Sequence, residues 1–173
     1  RNLAILYSNG LGIDKNLWKA HFWYKKASKL GDAKSQYNLA VMYSNGFGVK
    51  ADHIEAIKWY EKAAKGGSTI AMHNLALKHQ NGEGTPVDKV KAFKYMQEAA
   101  YKNFAKAQYR LANMYLDGIA VKKDTKIGLY WLRKAAELNE ILAQDKLGNI
   151  YSEGKLVEQN YEKAVYWYEK SFR

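Results

Sequence analysis

The spacing of apolar and polar positions predicts helices, and predicts them in pairs. Gln36, Leu39, Ala40 and Tyr43 fall at i, i+3, i+4 and i+7, which is one face of an α-helix. The stretch Asn45-Gly46-Phe47-Gly48 breaks that face, and Gly46 suits the left-handed position that closes a helix. Asp52 then reads as an N-cap, with Glu55 three residues on in capping-box spacing. A second stripe follows, made of Ala56, Trp59, Tyr60, Ala63 and Ala64, and Gly67 ends it. Small alanines beside large aromatics let neighbouring helices approach and interlock.

The same pattern returns every 36 residues along the chain of 173. Gly10, Gly46, Gly82, Gly118 and Gly154 form one column, and Leu3, Leu39, Leu75, Leu111 and Leu147 form another. Trp23, Trp59, Tyr95, Trp131 and Trp167 keep the same step, as do Asn16, Asp52, Asp88, Asp124 and Asn160. One helix pair cannot bury both of its stripes, whereas stacked neighbours bury them together. The expected fold is therefore an all-α solenoid of about five 36-residue helix-turn-helix repeats. It is expected to form a single repeat domain over 1–173, with units at about 1–32, 33–68, 69–104, 105–140 and 141–173. The later units drift. Ala120 and Leu156 replace the second loop glycine, Gly128 replaces a second-helix alanine, and Phe172 replaces another. Both ends lie inside the helical pattern, so the chain is expected to be a segment of a longer array.

These residues resemble the Sel-one-like repeat family, a relative of the tetratricopeptide repeats. The stretch from Gln36 to Val49, followed by Asp52, Ala56, Trp59-Tyr60, Lys62-Ala63-Ala64 and Gly67, carries the resemblance. Departures are local: Ala40 stands for the usual glycine, His79 for the tyrosine, and Thr85-Pro86 follow the third loop. The resemblance implies a right-handed superhelix whose first helices line the concave side. It also implies a role as adaptor, scaffold or inhibitor that holds another protein. Bacterial members include virulence-associated proteins and immunity proteins. Others are disulfide-rich penicillin-binding proteins, and a chain with no cysteine departs from that branch.

Composition narrows the chemistry. With no cysteine there are no disulfides, thiolate metal sites or cysteine nucleophiles. A hydrophobic content of 47% and a single proline argue against disorder. No apolar run reaches the roughly 18 residues of a membrane span. None of the four histidines sits in a metal-binding motif, since His73 and His79 lie six apart and do not share a helical face. The Gly-x-Gly loops lack the Gly-Lys-Ser/Thr and the preceding strand of a phosphate cradle. Ser152-Glu153-Gly154-Lys155 matches the Ser-x-x-Lys of penicillin-interactive enzymes, but it crosses a helix-ending glycine and its companion motifs are missing. The sequence thus predicts no enzyme, no cofactor and no metal.

The net charge of +11 lies mainly on the second helices. Residues 15–30 carry Lys15, Lys19, Lys25, Lys26 and Lys29 and no acid. This leaves nucleic-acid or acidic-surface binding by the outer face as the alternative function. The leading expectation is a protein-binding module that engages a partner protein or peptide through the groove along its first helices or through its end faces. The wall expected to meet it consists of Lys34, Tyr37, Asn38 and Val41, then His73, Asn74 and Leu77. It continues with Lys106, Tyr109, Arg110 and Asn113, then Lys146 and Asn149. Amides pair with peptide backbone, and tyrosine supplies contact area at low entropy cost. Asn74, Lys106 and Arg110 also match three of the five positions of a tetratricopeptide carboxylate clamp, while Tyr37 and Val41 do not fit the other two.

Overall fold

The computed structural model describes residues 1–172. Among them lie ten α-helices and no strand. They are α1 (Asn2–Asn9), α2 (Leu17–Lys29), α3 (Ala33–Asn45), α4 (His53–Lys65) and α5 (Thr69–Asn81), then α6 (Lys89–Tyr101), α7 (Ala105–Asp117), α8 (Thr125–Glu137), α9 (Ile141–Glu153) and α10 (Tyr161–Ser171). The fold is the all-α repeat class that the period predicts. The chain divides into two compact units, Arg1–Asp88 and Lys89–Arg173. Within the first, each helix from α1 to α5 packs on the next, and the same holds from α6 to α10 in the second.

Local chemistry sets the helix ends. Gly46 closes α3 at φ 73°, a conformation that strains any residue bearing a Cβ. Asn16, Asp52, Asp124 and Asn160 cap the second helices, each side chain accepting an N–H three residues on at 2.9 Å. The reciprocal half of the capping box does not form. The Asp52 N–H donates instead to the Tyr43 carbonyl at 2.8 Å, and Glu55 accepts from Trp59 Nε1 at 3.0 Å. The same backbone bond joins Asn16 to Tyr7, Asp88 to His79, Asp124 to Tyr115 and Asn160 to Tyr151, which ties each loop to its own first helix. The second loop glycine serves packing between repeats. A Cβ on Gly48 would fall 2.2 Å from the Leu17 carbonyl oxygen at the start of α2.

The leucine column forms the core: Leu39, Leu75, Leu111 and Leu147 are at most 1% exposed. A buried glutamine completes three of the repeat junctions. Gln36 donates to the Ser28 carbonyl at 3.1 Å, Gln108 to Ala100 at 3.1 Å and Gln144 to Ala136 at 3.0 Å. Each bond adds a second donor to a carbonyl at the end of the preceding second helix, which also accepts a backbone N–H from the turn, that of Gly31, Asn103 and Asn139 respectively. In the remaining internal repeat Met72 takes this place and is buried as well. The drift in the fourth repeat is a size exchange. Leu116 stands where other repeats have Ser or Gln and is buried, and a Cβ on Gly128 would meet its side chain at 2.7 Å.

Candidate partner-binding surface

The core stripe of each first helix leaves an opposite side to solvent, and the expected wall residues lie there. On α3, Ser35, Gln36, Leu39, Ala40, Met42 and Tyr43 are buried, while Tyr37, Asn38 and Val41 are half-buried and Lys34 is exposed. On α5, His73, Asn74 and Leu77 are half-buried. On α7, Tyr109 and Asn113 are half-buried and Lys106 and Arg110 exposed; on α9, Lys146 is half-buried and Asn149 exposed.

In the first unit these residues gather around a tyrosine that the sequence reading did not include. Tyr60, from the second-helix stripe of α4, accepts a hydrogen bond from Asn74 Nδ2 at 3.3 Å. Its ring lies 5.9 Å from that of Tyr37, centroid to centroid. His73 Nδ1 lies 3.4 Å from Asn74 Oδ1. Burial pushes the Tyr60 phenol up to about 12, against the opposing pull of the Asn74 bond. Burial also raises Tyr37. Tyr37, His73 and Asn74 thus form one polar-aromatic node spanning α3, α4 and α5. Beside it, Lys34, Tyr37 and Asn38 line a recess of about 500 Å³ with the Gly66–Ile70 turn. A second recess of about 280 Å³ holds Asn38 and Val41 against α1 and Phe47. Asn74 is therefore already engaged by Tyr60 and His73, which weakens its assignment to a carboxylate clamp.

In the second unit, Tyr109, Lys146 and Asn149 share a recess of about 620 Å³. Lys146 Nζ donates to Asn113 Oδ1, and Asn149 Oδ1 accepts from the Tyr168 hydroxyl at 2.6 Å. The rim carries Asp117, Asp145 and Glu153 with Lys123, Lys146 and Lys155, so its charges balance. Lys106 and Arg110 do not line this recess. Lys123, Lys155 and Leu156 come from loops, and a reading based on helical period does not reach them.

The remaining candidate chemistry resolves into structural roles. The Ser152 hydroxyl donates to the Asn149 carbonyl at 3.0 Å and Lys155 pairs with Glu153 at 3.1 Å, so the Ser-x-x-Lys match forms no dyad. Trp59 and Trp131 of the tryptophan column are buried. No metal-competent cluster of His, Cys, Asp and Glu occurs among the described residues. No helix among them is long and apolar enough to cross a membrane.

Five consecutive matches to the Sel1 repeat cover residues 1–32, 33–68, 69–104, 105–140 and 141–173. The chain belongs to the Sel1 repeat family. Sel1 repeats are protein-interaction modules, and their fold is generally a non-catalytic scaffold. Among solved structures, a Sel1 repeat protein from Oxalobacter formigenes is similar at a TM-score of 0.94 and 32% identity, over 99% of this chain and 70% of that one. A protective antigen present in uropathogenic Escherichia coli strains, which displays an SLR fold, matches at 0.64 and 28%, over 99% of this chain and 44% of that one. An immunity protein from Pseudomonas aeruginosa matches at 0.63 and 25%, over 99% of this chain and 66% of that one. No match is found among curated proteins.

Proposed function

We propose that this Sel1 repeat chain holds a partner protein against the exposed side of its first helices. One observation carries this reading. In each unit some of the expected wall residues line a recess, Lys34, Tyr37 and Asn38 in the first and Tyr109, Lys146 and Asn149 in the second, each with a half-buried tyrosine beside an amide and a lysine on helices. Such a wall loses little ordering entropy on binding, and its donors and acceptors are already oriented by packing. Mixed charge at the rim suits a polypeptide segment better than a uniformly charged ligand. The likeness to an immunity protein favours an inhibitor that covers an enzyme or toxin, with an adaptor as the related role.

The test is affinity capture with two baits, the native chain and a chain carrying Tyr37→Ala, His73→Ala and Tyr109→Ala, both checked for helical content by circular dichroism. The native bait is expected to retain one protein that the variant loses at least tenfold. Retention that survives all three substitutions would move the interface off the first helices. If the captured protein is an enzyme, loss of its activity on adding the native chain marks an inhibitor, and unchanged activity marks an adaptor.

A further inference from the structure

The second helix of the first repeat differs from the others on its outward side. Helix α2 packs inward through Ala20, Tyr24 and Ser28, spaced four apart and all buried. Its opposite stripe, at i, i+4, i+7 and i+11, is Trp18, Phe22, Lys25 and Lys29, all exposed. Lys26 flanks that stripe and is exposed, as is Lys19, whose ammonium reaches back to 5.2 Å from the centroid of the Tyr7 ring on α1. Trp18 is 66% exposed and Phe22 48%, high values for side chains of this size. No carboxylate lies between residues 15 and 30 to offset the five lysines. At the two aromatic positions the other repeats carry Ile54 and Lys58, Val90 and Lys94, Lys126 and Tyr130, and Glu162 and Tyr166. Only α2 places aromatics at both and surrounds them with unopposed positive charge.

The charge calls for an anionic partner, and the ring geometry narrows which kind. Trp18 and Phe22 stack on each other, with centroids 6.4 Å apart and planes 16° from parallel. Trp23 meets Phe22 edge-on at 5.3 Å, and the Lys26 ammonium lies 6.0 Å from the Phe22 centroid. A nucleic-acid base needs a free ring face on which to stack. Phe22 is hemmed in by a ring, a ring edge and an ammonium, so it makes a poor platform. A short aromatic ridge fringed by lysines is instead the pattern that enters the headgroup boundary of a bilayer. Rings sit at the acyl interface there, and lysine stems extend to anionic headgroups. We propose that the outer face of α2 docks on a membrane surface rich in anionic lipid. Trp18, Phe22, Lys25 and Lys29 lie opposite the buried stripe of α2, so this surface is separate from the proposed partner wall.

The experiment is co-sedimentation of the full chain with vesicles of phosphatidylcholine, with and without phosphatidylglycerol. Binding is expected only to the phosphatidylglycerol vesicles and is expected to weaken with salt. Replacing Lys19, Lys25, Lys26 and Lys29 together by Gln is expected to lower partitioning by about a thousandfold. Trp18→Ala with Phe22→Ala is expected to lower it by about tenfold. All six side chains are exposed, so circular dichroism should show an intact fold in both variants. Lipid brominated near the headgroup is expected to quench tryptophan emission in the native chain. In Trp18→Phe most of that quenching should vanish while binding stays. The proposal fails if anionic vesicles do not bind the chain, if binding ignores the lysine substitutions, or if quenching is unchanged in Trp18→Phe. It also fails if a single-stranded oligonucleotide binds more tightly than the vesicles at the same ionic strength.

Discussion

Tyr60 shows how one side chain ties the proposed site to the fold. Its phenol is buried beside Tyr37, so the neutral form belongs to the folded state despite the opposing pull of the Asn74 hydrogen bond. The folded value is about 12 against an ordinary 10.0. The stability contributed by the neutral form is therefore complete below pH 10 and is lost as pH rises towards 12. Denaturation followed across this window should show stability falling with pH, and Tyr60→Phe should flatten the slope. An unchanged slope would mean that another group titrates. Gly128 and Leu116 make a second point. Replacing a helical glycine by alanine ordinarily stabilises by about 1 kcal/mol. Here the added Cβ would meet Leu116 at 2.7 Å, so Gly128→Ala is expected to cost about 1–3 kcal/mol instead. Leu116→Ser in the same chain should remove that clash, since the other repeats pair alanine with a polar residue at these positions. Urea denaturation of the two single variants and the double variant would show the expected coupling, or its absence.

Between elements, the buried glutamines hold one repeat to the next. Gln108 reaches back eight residues to the Ala100 carbonyl at the end of α6. Removing it takes away one of that carbonyl's two donors, the Asn103 N–H remaining, and leaves a cavity, so Gln108→Ala is expected to cost about 2–4 kcal/mol. Gln108→Met fills the space and should cost about half as much, because Met72 occupies the same place in another repeat. Equal melting temperatures for the two variants would show that the hydrogen bond, rather than packing volume, matters at this junction. The helices themselves were legible from the start. Gly46, Asp52 and Gly67 mark ends in the sequence that the backbone then adopts. The capping box was not, because Glu55 had two possible partners. Trp59 Nε1 and Lys58 take its carboxylate, while the Asp52 N–H finds Tyr43 across the loop. Spacing along the chain cannot decide between a partner three residues away and one brought close by the turn.

For the molecule as a whole, the two proposed surfaces lie on different sides of the helix pairs. The net charge of +11 is concentrated on second helices, most strongly on α2, while the rim of the second-unit recess balances acid against base. Capture of a partner by the first-helix side is therefore expected to tolerate salt that releases the chain from anionic vesicles. Parallel salt titrations of the two would test whether the surfaces are independent. The repeat, the helix ends, the core columns and the concentration of positive charge on the second helices were all readable in the sequence. They depend on residue type at a fixed period, and a column repeated five times states its own rule. The node around Tyr60 was not readable, because its three helices meet only once stacked. Nor was the pairing of Leu116 with Gly128, or the hemming of Phe22 by Trp18, Trp23 and Lys26. Each depends on distances across space between residues whose sequence spacing carries no such information, and only packing brings those atoms together.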